Sequence, residues 1–413
     1  MKILHISYSD NKGGAAIAAL RIVKAQRLFG IDAKMYVISK NTDLQYVLTV
    51  SKVREIYNKI ITKISHEVIK ILNKSTNQTP HSINFFGSGL LRYINRIDCD
   101  IVHLHWINHE MLSIKEVAKI TKPVVWTFHD SWTFCGAEHH PNGMDDFYYS
   151  KDYCLKKYKG FNINRWVLKR KKRYWKDKKY YIVTPSQWET NSAKKASLFL
   201  KNKIETIPNC LDTNIFRPID KNISKSILNL STDKKYVLFG AYDPLAFVKG
   251  GDLLFSILKR YIEEYDKKDI ELLVFGSSYQ SYFLELDLPV HFSGKIYDEV
   301  TMSLIYNSAE VILIPSRMDN LPQTATESAS CGLPIVCFNV GGLTDIVEHK
   351  VTGYIANRFD IEEFAQGMNW ILNEADKNLL DKNAREKALF RYNESQCVES
   401  YSNVYKSVLT VTV

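Results

Sequence analysis

Short apolar runs rich in β-branched residues alternate along the chain with longer segments of helical periodicity. The first run, KILHISYS, ends at a glycine-containing break and is followed by AAIAALRIVKAQRLFG, a helical pattern that stops at Gly30. A second apolar run, AKMYVIS, comes next. This order predicts a β-α-β unit, and such units build parallel sheets that are covered on both faces.

Further strand-like runs recur with helical patterns between them, and they fall into two series. The first series occupies residues 100–106, 123–130 and 180–186. The second series occupies residues 236–243, 271–278, 290–294, 309–316 and 333–340. A polar stretch that ends near Lys235 separates the two series, so we predict two successive α/β domains.

The composition is that of an ordinary soluble globular protein. Of the 413 residues, 45% are hydrophobic and 24% are charged, which argues against a disordered or fibrous chain. No run of 18 apolar residues occurs, so no membrane-spanning helix is expected. The opening MKILHISYSD lacks the long apolar region and cleavage site of a signal peptide, so we expect a cytoplasmic protein.

The seven cysteines form an odd set without a CxxC pair, which favours reduced thiols over a disulfide framework. Cys135 and Cys154 flank His139 and His140 and could form a zinc site, but the paired ligand spacing typical of zinc is missing. A polar loop with two unrelated thiols is therefore the favoured interpretation.

Positive charge is concentrated in one stretch. The chain carries a formal net charge of +10, and residues 151–181 contain 13 basic and two acidic residues, which leaves the remainder about neutral. The partner of this stretch should be anionic: lipid head groups, a polyphosphate or nucleic acid. In residues 53–74, apolar positions follow helical spacing opposite a basic face. Such a helix could lie on an anionic membrane or pack on its own domain.

Ligands of doubly wound α/β domains bind at the carboxyl ends of the strands, so the strand-to-helix junctions are the candidate sites. Gly13 and Gly14 follow the first strand, where glycine lets backbone N–H groups approach a phosphate. Because no GxGxxG is present, a dinucleotide cofactor is disfavoured. In the second domain Lys249 stands before Gly250 and Gly251, and a lysine beside a helix N-terminus suits a diphosphate.

Two carboxylates stand eight positions apart after a buried strand of the second domain. Asp319 falls in a loop and Glu327 in the following helix, with no other charge between them. Carboxylates accept hydrogen bonds from paired hydroxyls, which suits the diols of a sugar and a ribose. For Glu327 alone, an acid that stabilises the helix dipole is the competing interpretation.

The segment PSRMDNLPQTATESASCGLPIV resembles the acid–seven–Glu motif of family 4 glycosyltransferases. Further elements stand in the family's order: the N-terminal Gly-Gly loop, HLHW, WTFHD, VTPSQW, IPNCLDTNIFRP, VKGG, VFG, FSGKI and GGLTDIVEHKVTGYI. The resemblance covers nearly the whole chain. The variants HLHWIN, WTFHDSWTF and DNLP resemble the branch that includes colanic-acid and other surface-polysaccharide transferases.

The resemblance implies an α/β protein of GT-B fold, in which two Rossmann-like doubly wound domains face each other across a cleft. Residues 1–215 would bind the acceptor and residues 216–392 the nucleotide-sugar donor. A C-terminal helix, at about residues 393–413, would pack back onto the first domain. Members of the family transfer a sugar with retention of anomeric configuration, without an essential metal or other cofactor.

The resemblance also implies roles for residues at matching positions. Glu327 would bind the ribose hydroxyls, Asp319 the donor sugar and Lys249 the diphosphate. His129 would contact the donor sugar close to its anomeric carbon. The remaining donor-binding positions that it implies are Gly13, Gly14, Gly250, Arg317, Asn320 and Leu321. Catalysis is expected to involve His129, Lys249 and Asp319, and no metal ligand is expected.

Two positions depart from the family pattern. Residue 319 is Asp where many relatives have Glu, so its carboxylate reaches less far towards a sugar. The family often has an arginine shortly before the lysine, and here that position reads Gly240-Ala241. Another cation must then balance the diphosphate, and Arg317 and Lys295 are the candidates.

Two patterns that could bind a metal are interpreted as structural. Asp98-Cys99-Asp100 matches the DxD motif of a different glycosyltransferase fold, but it precedes its strand and so lies at the wrong end of the sheet. His103 and His105 share one face of that strand, and buried histidines at this spacing are more often hydrogen-bonded than metal-bound.

The sequence thus predicts a retaining glycosyltransferase that moves a hexose from a nucleotide sugar, with UDP favoured and GDP as the alternative base. The acceptor would be lipid-linked or a growing oligosaccharide of a bacterial O-antigen, capsule or exopolysaccharide. Residues 151–181 and 53–74 would dock on the anionic inner face of the cytoplasmic membrane, and no nucleic acid is expected. Two alternatives stay open: a GT-B sugar-nucleotide epimerase, and a non-catalytic nucleic-acid-binding protein that uses residues 151–181.

Overall fold

The computed structural model describes residues 1–73, 77, 79–140, 161–241, 246–276, 283 and 285–411. The chain forms two compact units. The first comprises Met1–Cys210 together with Ser395–Val413, and the second comprises Leu211–Glu394. Each unit is built on one parallel sheet, which confirms the expectation of two Rossmann-like α/β domains.

The sheet of the first unit has the strand order of a doubly wound fold. Its strands are β1 (Lys2–Ile6), β2 (Asp32–Val37), β3 (Val47–Thr49), β4 (Ile101–Leu104), β5 (Val124–Thr127), β6 (Tyr181–Thr184) and β7 (Lys203–Thr206). They pair in the order β3-β2-β1-β4-β5-β6-β7. The order reverses between β1 and β4, and this switch point is where such sheets bind ligands.

Helices cover both faces of this sheet. They are α1 (Gly14–Leu28), α2 (Lys52–Leu72), α3 (Leu91–Arg96), α4 (Ile114–Val117), α5 (Ile163–Trp175) and α6 (Gln187–Lys195), with a 3₁₀ turn at Ser131–Thr133. Successive strand residues enter opposite cores: Leu4 and Trp126 pack with Trp175, whereas Ile3 and Val125 pack on the other face. Burial on both faces accounts for the continuous apolar runs in the sequence.

The second unit repeats the same topology. Its strands are β8 (Lys235–Ala241), β9 (Ile270–Gly276), β10 (Val290–Gly294), β11 (Val311–Ile314), β12 (Ile335–Phe338) and β13 (Gly353–Ala356). They pair in the order β10-β9-β8-β11-β12-β13, so the switch point lies between β8 and β11. Its helices are α7 (Lys221–Ile227), α8 (Gly251–Glu264), α9 (Glu299–Ser308), α10 (Gln323–Ser330), α11 (Leu343–Ile346), α12 (Ile361–Asn369) and α13 (Lys377–Tyr392), with a 3₁₀ turn at Phe247–Lys249 and a π-helical turn at Trp370–Glu374.

The last helix, α14 (Glu394–Val411), belongs almost entirely to the first unit. Its residues Val398, Tyr401 and Tyr405 are buried in one core with Ile3 and Ile22. The end of the chain therefore packs on the same face of the sheet as α1. Among the described helices, none is both long enough and apolar enough to cross a bilayer.

The helices differ in how their first turns are capped. Many begin at a Ser or Asp whose side chain accepts a backbone N–H of the first turn: Ser186, Asp220, Asp298, Asp360 and Asp376. In contrast, α1 and α8 follow the switch-point strands β1 and β8 and begin at Gly13 and Gly250 without a side-chain cap. Glycine at these two positions leaves the helix N-termini without a capping side chain and open to close approach by a ligand.

Much of the apolar surface of helix α2 is exposed to solvent. Its buried residues are Asn58, Ile61, Ser65 and Ile69, so the face that packs on the domain is half polar. Its exposed apolar residues are Val53, Ile56, Tyr57, Ile60, Ile64 and Ile71. Packing on its own domain therefore accounts for only part of this amphipathic segment, whose residue 74 lies outside the described residues.

One lysine of the basic stretch 151–181 lies in the core instead of on the surface. Residues 151–160 lie outside the described residues, and helix α5 and its C-terminal flank hold the rest of the stretch. Lys171 is fully buried, and its Nζ donates to the carbonyls of Trp132, Cys135 and Gly136. The exposed cations of this part are Arg165, Lys169, Arg173, Lys176, Lys178 and Lys179.

Candidate functional site

The loops that follow β8 and β11 meet at the switch point of the second unit. The backbone N–H of Arg317 donates to the carbonyl of Val248 at an N···O distance of 2.9 Å. A Cβ on Gly250 would lie 2.1 Å from the carbonyl oxygen of Pro315, and Gly250 has a φ of +66°. Only glycine fits this backbone contact and this conformation. Residues 242–245, in the first loop, lie outside the described residues.

Lys249 and Asp319 form an ion pair between these loops, with Nζ 2.6 Å from Oδ2. The lysine side chain is 38% exposed and that of the acid 16%, so a ligand can reach both. The carbonyl of Asp319 accepts the N–H of Gly342 at 3.0 Å, and a Cβ on Gly341 would lie 2.0 Å from the same oxygen. The two side chains that the sequence analysis placed on a diphosphate and on a sugar are thus in direct contact.

Arg317 forms an ion pair with Asp252, an acidic residue of helix α8. Its Nη1 and Nη2 bond to the two carboxylate oxygens of Asp252 at 2.7 and 2.5 Å, and Nη1 also donates to the carbonyl of Phe247 at 3.1 Å. The hydrogen bond from Arg317 lowers the pKa of Asp252. Lys295, the other candidate replacement for the missing arginine, is exposed directly after β10. That Arg317 or Lys295 balances the charge of a diphosphate stays a prediction.

Glu327 lies in the middle of α10 and is buried. The hydroxyl of Tyr306, on α9, donates to its Oε2 at 2.7 Å. A carboxylate held in this way keeps a fixed direction for accepting ligand hydroxyls. Asn320 and Leu321 are also buried close to this helix in the chain. Sequence reasoning missed Tyr306, because no spacing rule connects a residue on α9 with one on α10.

In the first unit, the loop after β1 is shaped by two short polar side chains. Oγ of Ser9 accepts the N–H of Lys12 at 3.2 Å. The carboxylate of Asp10 accepts the backbone N–H groups of Asn41 and Thr42 at 2.9 Å each. These bonds order the approach to Gly13, which is exposed and has a φ of +91°. Glycine at this junction is recognisable in the sequence, whereas Ser9 and Asp10, which order the loop, belong to no motif there.

His129 and Asp130 follow β5. Nε2 of His129 lies 3.0 Å from Nδ1 of His105, and burial lowers the pKa of His129 to about 4, so it is neutral at physiological pH. Asp130 accepts the indole N–H of Trp106 at 2.8 Å and bonds Nδ1 of His139 at 2.6 Å. Burial raises the pKa of Asp130, but these partners lower it by more, so its carboxyl is charged.

A cavity of about 790 Å³ opens beside α2 in the first unit. Tyr8, Trp106 and His109 line it, and their rings meet edge to face at centroid distances of 4.8 to 6.1 Å. Lys63 and Lys70 of α2 also line it. Aromatic surfaces together with cations suit an anionic ligand that has apolar faces, such as a phosphorylated saccharide.

One buried carboxyl escaped the sequence analysis. Glu189, in the first turn of α6, is fully buried, and within the described parts of the chain neither of its carboxylate oxygens has a hydrogen-bond partner. Burial raises the pKa of Glu189 well above its usual range, and the charge of Asp130 adds to the shift. Glutamate is common and exposed in first helical turns, so its residue type gave no sign of burial.

Residues of the sequence patterns that could bind a metal are paired with other residues of this chain. Asp98 pairs with the side chain of Lys2, and Asp100 accepts the backbone N–H of Lys2 at 2.7 Å, both at the amino end of β4. Both ring nitrogens of His139 bond to protein oxygens. Cys154, the other half of the candidate zinc pattern, lies outside the described residues.

Family models match both halves of the chain. The model Glycosyltransferase Family 4 matches residues 12–215, and the model Glycosyl transferases group 1 matches residues 220–387. The two matches together cover most of the chain and follow the division into two units. The chain therefore belongs to the family 4-type glycosyltransferases, and its domains are those of the GT-B fold.

Solved structures share this fold over nearly the whole chain. Sucrose-phosphate synthase from Thermosynechococcus elongatus matches with a TM-score of 0.69 at 16% identity, over 99% of both chains. Anabaena HepE, solved in complex with UDP and glucose, matches with a TM-score of 0.66 at 16% identity, over 98% of this chain and 100% of that one. At this level of identity the likeness concerns the fold alone.

Curated relatives are similar over part of their length. The D-inositol 3-phosphate glycosyltransferase of Mycolicibacterium smegmatis is 24% identical over 204 residues, which is 46% of this chain and 45% of that protein. An uncharacterized glycosyltransferase of Methanocaldococcus jannaschii is 28% identical over 194 residues, 45% of this chain and 48% of that one. The chain thus spans about half the length of these relatives. Nothing in the comparisons supports the epimerase or the nucleic-acid-binding alternative.

Proposed function

We propose that this protein is a retaining glycosyltransferase that moves a hexose from a UDP sugar to a lipid-linked or growing oligosaccharide in bacterial surface-polysaccharide biosynthesis. The observation that carries the proposal is the switch point of the second unit, where Lys249 and Asp319 form an ion pair beside a helix with a glycine cap. Glu327 lies buried in the helix that follows this loop, where it bonds to Tyr306. These groups suit a diphosphate, a sugar and a ribose. HepE, which shares the fold, was solved with UDP and glucose, and this supports a UDP sugar over a GDP sugar.

When the donor binds, Lys249 would exchange its ion pair with Asp319 for one with the diphosphate. A diphosphate that reaches the N-terminus of α8 competes with the carboxylate for Lys249, and a cation about 4 Å from such a charge contributes roughly 4 kcal/mol before desolvation at an effective dielectric constant near 20. Once the lysine turns to the diphosphate, Asp319 is free to accept hydrogen bonds from sugar hydroxyls. Glu327, oriented by Tyr306, accepts those of the ribose.

The reaction breaks the bond between the anomeric carbon and the diphosphate oxygen. The acceptor oxygen forms its bond on the same face of that carbon, and its proton passes to the leaving phosphate oxygen, so no protein nucleophile is required. Lys249 and the N–H groups at the start of α8 stabilise the charge that develops on the leaving group. His129, which is neutral, forms a hydrogen bond with a hydroxyl of the donor sugar. The scheme uses no metal.

The acceptor is assigned to the first unit and the membrane contact to α2. The cavity beside α2 offers Trp106 and Tyr8 to saccharide rings and Lys63 to a phosphate of the lipid carrier. The exposed apolar residues of α2 would enter the lipid surface while its basic residues stay among the head groups. The exposed cations of α5 and its C-terminal flank would add about 1 kcal/mol each near an anionic surface.

Nucleotide binding tests the donor site first. Thermal shifts of the wild-type chain are measured with UDP, GDP and ADP, because a ligand at 100 times its Kd adds roughly 2.7 kcal/mol of stability. We expect UDP to stabilise the wild type but not Glu327→Gln, and the exposed Glu399→Gln serves as the matched control. Equal stabilisation of both variants contradicts the ribose role. No stabilisation by any of these nucleotides or by intact UDP-hexoses contradicts the transferase proposal.

Vesicle binding tests the membrane contact separately. The double variant Ile60→Ser, Ile64→Ser should lose co-sedimentation with anionic vesicles, because two exposed apolar side chains of α2 are removed. The control is Val300→Ser, an equally exposed apolar residue of the second unit. Equal binding of the wild type to neutral and anionic vesicles would contradict the electrostatic part of the proposal.

A further inference from the structure

A chain of hydrogen-bonded side chains runs from His129 into the core of the first unit. Nε2 of His129 lies 3.0 Å from Nδ1 of His105, and Nε2 of His105 lies 2.9 Å from Nδ1 of His5. Nε2 of His5 in turn lies 2.9 Å from Oε1 of Gln26. Two buried imidazoles therefore connect the side chain at the end of β5 with helix α1.

The chain continues from Gln26 to helix α14. Nε2 of Gln26 donates to the hydroxyl of Tyr405 at 2.8 Å, and this hydroxyl lies 2.7 Å from Nδ1 of His103. Nε2 of His103 lies 2.7 Å from Oγ1 of Thr127, which lies 2.9 Å from the hydroxyl of Tyr401. All five side chains are fully buried. The network is thus shielded from solvent along most of its length.

The same cluster has the spacing of a metal site, but its nitrogens are occupied. Nitrogens of His5, His103 and His105 lie within 4.8 Å of one another. However, each of their six ring nitrogens already lies within 3.0 Å of a side-chain partner. A metal ion would have to break at least one of these hydrogen bonds at every ring. The cluster is therefore interpreted as a hydrogen-bond network.

The network determines which nitrogen of each ring carries the proton. Burial lowers the pKa of these histidines, to about 4 for His5 and His129, so each ring is neutral and has a single N–H. The amide oxygen of Gln26 can only accept, which places the proton of His5 on Nε2. Nδ1 of His5 then accepts from Nε2 of His105, and Nδ1 of His105 accepts from Nε2 of His129. One amide oxygen thus sets three tautomers in succession.

We propose that Gln26 is a positioning residue that holds His129 as the Nε2–H tautomer and leaves Nδ1 to accept a hydrogen bond from a hydroxyl of the donor sugar. Within the described residues, Nδ1 of His129 has no hydrogen-bond partner. A rotated Gln26 amide would reverse every proton along the path and turn Nδ1 into a donor. The sugar contact rests on the proposed function, whereas the tautomer does not.

Histidine nitrogen NMR on the whole chain tests the tautomer without any substrate. In the wild type, ¹⁵N-labelled His129 should give the shifts of the Nε2–H form, with His129→Gln used to assign its signal. Gln26→Met keeps a similar volume but has no amide, so part of the His129 population should move to the Nδ1–H form. Tyr401→Phe cuts only the far end of the path and should leave the His129 signal unchanged.

The role of Gln26 would be overturned by an Nδ1–H tautomer of His129 in the wild type, or by an unchanged tautomer in Gln26→Met. The wild-type measurement decides even if the variant does not fold. A stoichiometric metal found in the purified protein by mass spectrometry would also overturn it, because the metal would replace the protons of the network.

Turnover tests the sugar contact. Gln26→Met should lower kcat up to about tenfold, the effect of one neutral hydrogen bond, and Tyr401→Phe should not. A shifted tautomer with unchanged kcat contradicts the sugar contact alone. A wild type that turns over no nucleotide sugar contradicts the proposed function, while the NMR result still decides the role of Gln26.

Discussion

Glu189 should make the stability of the first unit depend on pH, and replacing this glutamate with glutamine should remove its contribution to that dependence. Its carboxyl is fully buried, neither oxygen has a partner among the described residues, and burial raises its pKa well above the usual range. An acid whose pKa is raised in the folded state keeps its full contribution to stability below its unfolded pKa. That contribution is lost as pH rises towards the folded pKa. The contribution of Glu189 to stability should therefore fall between pH 5 and pH 7.

The variant Glu189→Gln keeps the shape of the side chain and cannot ionise. Each pH unit between the unfolded and folded pKa costs the wild type about 1.4 kcal/mol, so from pH 5 to pH 7 the variant should gain up to about 2.8 kcal/mol over the wild type. For a unit of this size, each kcal/mol raises Tm by about 2–4 °C.

The assay is the Tm of wild type and variant in matched buffers at pH 5, 6 and 7. The exposed Glu399→Gln, on α14 of the same unit, makes the same chemical change and should show no pH-dependent gain. A Tm difference between Glu189→Gln and wild type that is the same at all three pH values would refute the reasoning. It would mean that the carboxyl is already ionised in the folded chain.

Other predictions concern the second unit. Gly250→Ala should destabilise it by about 2 kcal/mol or more, because the new Cβ meets the carbonyl of Pro315. The control Gly294→Ala has the same φ of +66° but nothing within 4 Å of the new Cβ, so it should cost only about 1 kcal/mol. Equal urea midpoints of the two variants would contradict the contact with Pro315. Tyr306→Phe should weaken UDP binding about fivefold in calorimetry, whereas the exposed Tyr297→Phe should leave it unchanged. Lys249→Ala should lower kcat/KM at least about tenfold in a UDP-release assay while the fold is kept, and unchanged turnover would count against its diphosphate role.

Much of the fold could be predicted from local pattern. Each strand of a doubly wound sheet is buried on both faces, so it leaves a continuous apolar run, and the following helix leaves a 3.6-residue period. The sequence could also identify Gly250, because glycine at a strand-to-helix junction signals a close backbone approach. The structure shows this approach at the carbonyl of Pro315. These features depend on neighbours along the chain or on residue type alone.

Long-range contacts could not be predicted in this way. The Lys249–Asp319 pair, the bond from Tyr306 to Glu327 and the engagement of Arg317 by Asp252 join residues that are far apart in sequence. Helix α2 shows the same limit, because its periodicity marked an apolar face without revealing that much of it is exposed.

Residue type also failed to indicate burial of individual polar groups. Lys171 belongs to the most basic stretch of the chain, yet three backbone carbonyls surround its ammonium in the core. His5 and Gln26 carried no motif, and they matter because the order of strands and the return of α14 bring them beside His105 and Tyr405. The sequence by itself determined the elements, the family and the types of groups at the strand ends. Which of those groups touch, and which are shielded from water, was decided by the tertiary structure, because hydrogen bonding and desolvation depend on neighbours that chain order does not specify.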